Sequence, residues 1–186
     1  MSAPSAVLIP PRSPELEPVA LAVLRGVSEG GGVASRPLIV TSPSGVLDVS
    51  SDAPIAFVGW HGNGEGSRRL ASEILAALAR QPPSPRPVAL FETCVLGPVD
   101  TLVSGIPSSP RDCPGLLFLG TPERFVLREG ADGSDADSAE LDRARRWAAQ
   151  VYRRWSSAPS DLGTAASSPE LSRSRAQWMG WCGAFE

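Results

Sequence analysis

Apolar residues recur along the chain in two rhythms, and the switches between them outline the elements. Leu16, Val19, Ala20, Val23 and Leu24 stand at helical spacing up to Gly26, predicting a short amphipathic helix over 15–25. Past the glycines at 30–32, Leu38-Ile39-Val40 and Val46-Leu47-Asp48-Val49 flank the turn-forming Ser42-Pro43-Ser44-Gly45, which predicts a hairpin or two short strands. Ile55 to Trp60 is a continuous apolar run, and Ser67 to Arg80 follows with Leu70, Ile74, Leu75 and Leu78 on one helical face. This is a β-α unit. Pro87 to Phe91 and Leu116 to Leu119 are two more short apolar runs of the kind that fill buried parallel strands. Asp137 and Glu140 resemble a capping box, after which Leu141, Ala144, Ala148, Val151, Tyr152 and Trp155 mark one face of a helix ending near 155.

Strands alternating with amphipathic helices predict an α/β domain over 14–155, three layers thick, with a mainly parallel central sheet. With 186 residues, the chain holds one such core. Residues 1–13, rich in Pro and Ser, are expected to be a disordered N-terminus, and 156–176, dominated by Ser, Pro and Ala, a flexible linker. The segment 177–186 turns apolar again. Its Trp178, Met179, Trp181 and Phe185 are expected to dock on the domain or on a regulatory protein partner.

Composition narrows the function classes. All 17 basic residues are Arg, so lysine-dependent Schiff-base chemistry and Walker-type loops are excluded. Those arginines are spread out in a chain of net charge −3, which leaves no footprint for nucleic acid. No stretch approaches the roughly 20 apolar residues that span a bilayer, so no membrane association and a cytoplasmic location are expected. Cys94, Cys113 and Cys182 lie far apart without a C-x-x-C pair and signal neither a disulfide framework nor a zinc site. The acidic run 129–137 lacks the order of a calcium loop, and no metal is expected.

Candidate chemistry falls at the ends of two strands. His61, the only histidine, closes the 55–60 run and precedes Gly62, while Cys94 occupies the equivalent point after the next run, as Leu90-Phe91-Glu92-Thr93-Cys94. Open α/β sheets place their reacting groups at such ends. A thiolate beside an imidazole is a nucleophile with its own proton shuttle.

A hydrophobic block ending in His-Gly, a helix, and a second block ending in acidic-small-Cys together resemble the caspase-like (clan CD, CHAT-type) cysteine peptidases, over about residues 54–121. The resemblance implies a caspase-like fold, a cysteine endopeptidase acting on a protein or peptide substrate, and His61 and Cys94 as catalytic dyad. It also implies an oxyanion hole from the N–H groups of Gly62 and Cys94, and no cofactor. Glu92 is a candidate for orienting His61 or the nucleophile loop. Two other readings stay open. His61-Gly62-Asn63-Gly64-Glu65-Gly66-Ser67, after a strand and before a helix, is also the setting in which a flavodoxin-like protein cradles the phosphate of FMN. A catalytically inactive caspase-like interaction module is the other.

Overall fold

The computed structural model describes residues 6–9, 16–33, 37–39, 53–62, 65–81, 85–95, 113–127 and 138–157. Six strands and three helices follow in the order β1 (Ala6–Ile9), α1 (Leu16–Glu29), β2 (Leu38–Ile39), β3 (Ala56–His61), α2 (Glu65–Leu78), β4 (Arg86–Val95), β5 (Leu116–Phe118), β6 (Glu123–Leu127) and α3 (Ser138–Ser157). Every strand pairing among them is parallel. Strand order is β2-β1-β3-β4-β5, and β6 also pairs with β4. β5 lies beside Arg86–Val88 and β6 beside Phe91–Val95, so the two are one edge position interrupted at 119–122. The result is a five-position sheet in the doubly wound order 2-1-3-4-5.

Side-chain alternation divides the core into two layers. Phe57, Ala89, Phe91, Phe125 and Leu127 face α1 and α3, while Ala56, Val58, Trp60, Val88, Leu90 and Leu116 face α2. The three-layer α/β architecture with a parallel sheet is therefore as the sequence predicts.

The elements depart from expectation in places, and β6 is one that no apolar run predicts. α1 runs past Gly26 to Glu29, because that glycine is where α3 crosses: a Cβ there would sit 2.1 Å from the Arg145 carbonyl oxygen. The helix stops at Gly30–Gly32, where Gly31 is left-handed (φ 94°) and the Gly32 N–H returns to the Val27 carbonyl at 2.9 Å. Leu38–Ile39 is a short strand, as expected there, and pairs in parallel with β1; the run 46–49 lies outside the described residues. β1 itself falls inside the segment expected to be disordered, between β2 and β3.

Asp137, the other half of the expected capping box, lies outside the described residues, and Glu140 is engaged elsewhere in the fold. Its carboxylate accepts the Val126 N–H of edge strand β6 at 3.0 Å and is gripped by Arg143, which also binds Glu123. Chiefly through Arg143, and with help from the Val126 N–H against a cost of burial, its carboxyl is held below the usual range. A depressed carboxyl stabilises the fold above its unfolded-state pKa, and this contribution fades as pH falls through the folded value. Glu140→Gln is expected to lose about 1–2 kcal/mol at neutral pH, with the difference from the parent shrinking toward zero in acid; urea melts across a pH series read it out.

Candidate functional site

In a sheet of this order, the chain leaves β1 toward one edge for β2 and returns to lay β3 on β1's other side. The crevice between the carboxyl ends of β1 and β3 is the topological switch point where such folds take their ligands. β3 delivers His61 and Gly62 there, and α2 starts three residues later at Glu65.

The turn is fastened from below. The His61 N–H donates to Ser67 Oγ at 2.9 Å, and the Gly62 N–H donates to the Thr93 carbonyl at 2.7 Å. Gly62 is required by close approach, since a Cβ would lie 2.7 Å from Glu92 Oε1. Glu92, 5% exposed, accepts from Trp60 Nε1 at 3.3 Å and from Arg124 Nε at 2.8 Å. The pair forms a buried floor beneath the turn.

This arrangement does not assemble the predicted dyad. Register pairs His61 with Thr93, and the His61 Nδ1 lies 3.4 Å from Thr93 Oγ1. Trp60 and Glu92 meet on the α2 face, so alternation turns His61 and Thr93 toward the α1/α3 face and returns Cys94 to the α2 face. Cys94 is 2% exposed, and its thiol points to the Phe125 carbonyl at 3.9 Å. The Gly62 N–H, expected in the oxyanion hole, is spent on Thr93. Glu92 orients Trp60 and Arg124, not His61.

Comparison with solved structures gives the fold its class. Over 85% of this chain, a flavodiiron core from Synechocystis matches at a TM-score of 0.56 and 14% identity; the chain spans only 37% of that protein. A flavodoxin from an archaeon matches over 82% of this chain and 99% of its own, at a TM-score of 0.51 and 14% identity. A flavodoxin of Streptococcus pneumoniae matches at 0.50, also with 14% identity, over 82% of this chain and 99% of its own. No family model and no curated protein sequence matches the chain. The fold is flavodoxin-like.

The caspase-like resemblance, with its endopeptidase activity and protein or peptide substrate, is thereby corrected. The structural neighbours are flavodoxin and flavodiiron proteins, not peptidases. What misled the reading is generic, since any doubly wound sheet presents residues at successive carboxyl ends.

The remaining question is whether these residues fit FMN. Helix α2 opens with Glu65, Gly66 and Ser67, whose N–H groups have no intrahelical acceptor. Gly66 is exposed, and a Cβ on it would meet nothing within 4 Å, so the space over this first turn is open. Arg68 supplies positive charge one residue on, against the negative Glu65. This end fits a phosphate. The described start of α1 offers less, since Leu16 is fully buried and Pro18 has no N–H, while residues 10–15 before it lie outside the described residues. A flavin ring finds less. Trp60 is the aromatic residue nearest the switch point on β3, and it is 1% exposed. Among the described residues, none presents an open aromatic face at the carboxyl end of the sheet.

Among the described residues, no group of His, Cys, Asp or Glu is placed to hold a metal ion. No described helix is long and apolar enough to cross a membrane. The acidic run 129–137, residues 158–176 of the expected linker and the Trp-rich end lie outside the described residues, whereas 156 and 157 continue α3. Arg124 and the role of Thr93 went unnoticed in the sequence, whereas Ser67 was included in the candidate phosphate turn. Ser67 had a signal as a small hydroxyl residue in the first turn of a helix, but nothing local marks Arg124, which reaches Glu92 from a neighbouring strand.

Proposed function

We propose that this chain is a flavodoxin-like binding module that takes a phosphate monoester, FMN being the example its structural neighbours suggest, at the turn between β3 and α2. The observation that carries this reading is the placement of the open first turn of α2 at the β1/β3 switch point of a 2-1-3-4-5 sheet. In it, the Glu65, Gly66 and Ser67 amides hold the phosphate, and the Ser67 hydroxyl and Thr93 carbonyl keep the turn in shape. FMN, when bound, would supply one- and two-electron redox chemistry. The chain's part is to hold and orient the phosphate.

Titration calorimetry with FMN and with riboflavin, which lacks the phosphate, tests the reading. FMN is expected to bind saturably and at least about tenfold more tightly than riboflavin, because a charge-assisted phosphate contact is worth roughly 1.4 kcal/mol or more. Inorganic phosphate should compete. Equal affinity for the two flavins, or no binding of FMN and phosphate, would overturn it.

A further inference from the structure

β6 pairs with β4 along one side, and among the described residues no strand lies along its other side. An edge of this kind presents N–H and C=O groups to any extended chain that comes alongside. In β6 two of these outward groups are the Arg124 carbonyl and the Val126 N–H, which share a side of the strand because backbone groups of alternate residues point the same way.

Both groups are already engaged. The Val126 N–H donates to Glu140 Oε2 at 3.0 Å, and the Arg124 carbonyl accepts from Arg143 Nη2. The two α3 side chains act as one unit, since Arg143 Nη2 also donates to Glu140 Oε2 at 2.8 Å and Arg143 Nε to Glu140 Oε1 at 3.1 Å. Arg143 Nη1 reaches Glu123, which holds the guanidinium from a second direction.

This is the bonding pattern of a missing strand. In a parallel ladder one residue accepts from the N–H just after the residue it faces and donates to the carbonyl just before it. Glu140 Oε2 takes the first role, at Val126, and Arg143 Nη2 the second, at Arg124. The residue faced is Phe125, and the Arg143 guanidinium lies over its ring, 4.6 Å from the centroid. The two side chains are 23% and 37% exposed, so truncating them opens the strand edge to solvent and not to a core.

An uncovered β6 edge is self-complementary. About a twofold axis at Phe125, two copies pair antiparallel, with Arg124 of one facing Val126 of the other. Glu123 then stands opposite Leu127, so no carboxylate meets its own copy. We propose that Glu140 and Arg143 serve as a side-chain substitute for a neighbouring strand, and that they keep the β6 edge from pairing with the β6 edge of a second copy of this chain.

Sedimentation velocity on the full chain and on Glu140→Ala/Arg143→Ala tests this, alanine being the substitution that best keeps α3 helical. The parent should keep one mass as its concentration rises. The double variant should climb toward about twice that mass and stop there, because pairing uses up the β6 edge of both copies. Arg143→Ala alone uncovers only the Arg124 carbonyl and should associate at least about fivefold more weakly. Adding Val126→Pro to the double variant removes the outward N–H and should restore the parent's mass. Amide exchange at Val126 in the double variant gives a readout independent of the proline: fast in dilute solution, and at least about tenfold slower where the dimer forms. A folded double variant that keeps the parent's mass, growth past the dimer, or a dimer in which Val126 exchanges as fast as in dilute solution would overturn the proposal.

Discussion

Phe91→Ala is expected to remove about 3–5 kcal/mol of stability, the largest loss of any single substitution considered. The side chain is fully buried in the middle of the interior strand β4, between Phe125 at 6.4 Å and Trp147 at 6.2 Å between ring centroids. Its ring also lies directly over Gly59 of the neighbouring strand, where a Cβ would come within 2.3 Å of it. Deleting the ring therefore opens a cavity over a residue with no side chain to relax into it. A total stability of about 5–15 kcal/mol makes this a large fraction of the whole. The same contact predicts a sign change in a double-mutant cycle. Gly59→Ala alone forces the ring aside and should destabilise by about 1–3 kcal/mol, whereas in the Phe91→Ala background the added methyl fills space and should cost less or stabilise. Denaturant melts of the four proteins measure the coupling, and simple additivity would show that the ring does not rest on Gly59.

Glu92→Ala is expected to cost about 2–4 kcal/mol, because it strands two donors at once. Trp60 Nε1 is inside the α2-facing layer, and Arg124 has its side chain 31% exposed, so the tryptophan loses a buried acceptor while the arginine regains some water. Glu92→Gln separates the two contributions. The amide oxygen still accepts from Trp60, the charge opposite Arg124 is gone, and the loss should fall to about 1 kcal/mol. Equal losses for Ala and Gln would assign the stabilisation to the ion pair and not to the Trp60 hydrogen bond. Since Glu92 underlies Gly62, the Ala variant is also expected to loosen the β3–α2 turn, read as faster amide exchange at Gly62.

How far the sequence could be read depended on whether a signal was local. The apolar runs of β3 and β4 and the helical stripes of α2 and α3 announce themselves, since each buries one continuous face. β1 does not: Ala6–Ile9 is four apolar residues among prolines, and only its two parallel neighbours make it a central strand. β6 is masked by its polar start, with Glu123 and Arg124 engaged by Arg143 and Glu92 from other elements. The strand-end position of His61 and Gly62 was legible, and it falls at the switch point of the sheet. The chemistry was not, because it hinged on parity. Had β3 and β4 slipped by one residue, Cys94 and not Thr93 would face His61, and no sequence pattern records that offset.

The most direct test of a phosphate site on the β3–α2 turn is FMN calorimetry with Gly66→Asp. Position 66 is open to a new side chain, and an acidic residue in the first turn of a helix suits its dipole, so stability should stay within about 0.5 kcal/mol of the parent. The added carboxylate would, however, stand where the phosphate is proposed to sit. The account predicts that FMN affinity falls at least about tenfold, with riboflavin binding unchanged. FMN binding as tight in Gly66→Asp as in the parent would contradict it.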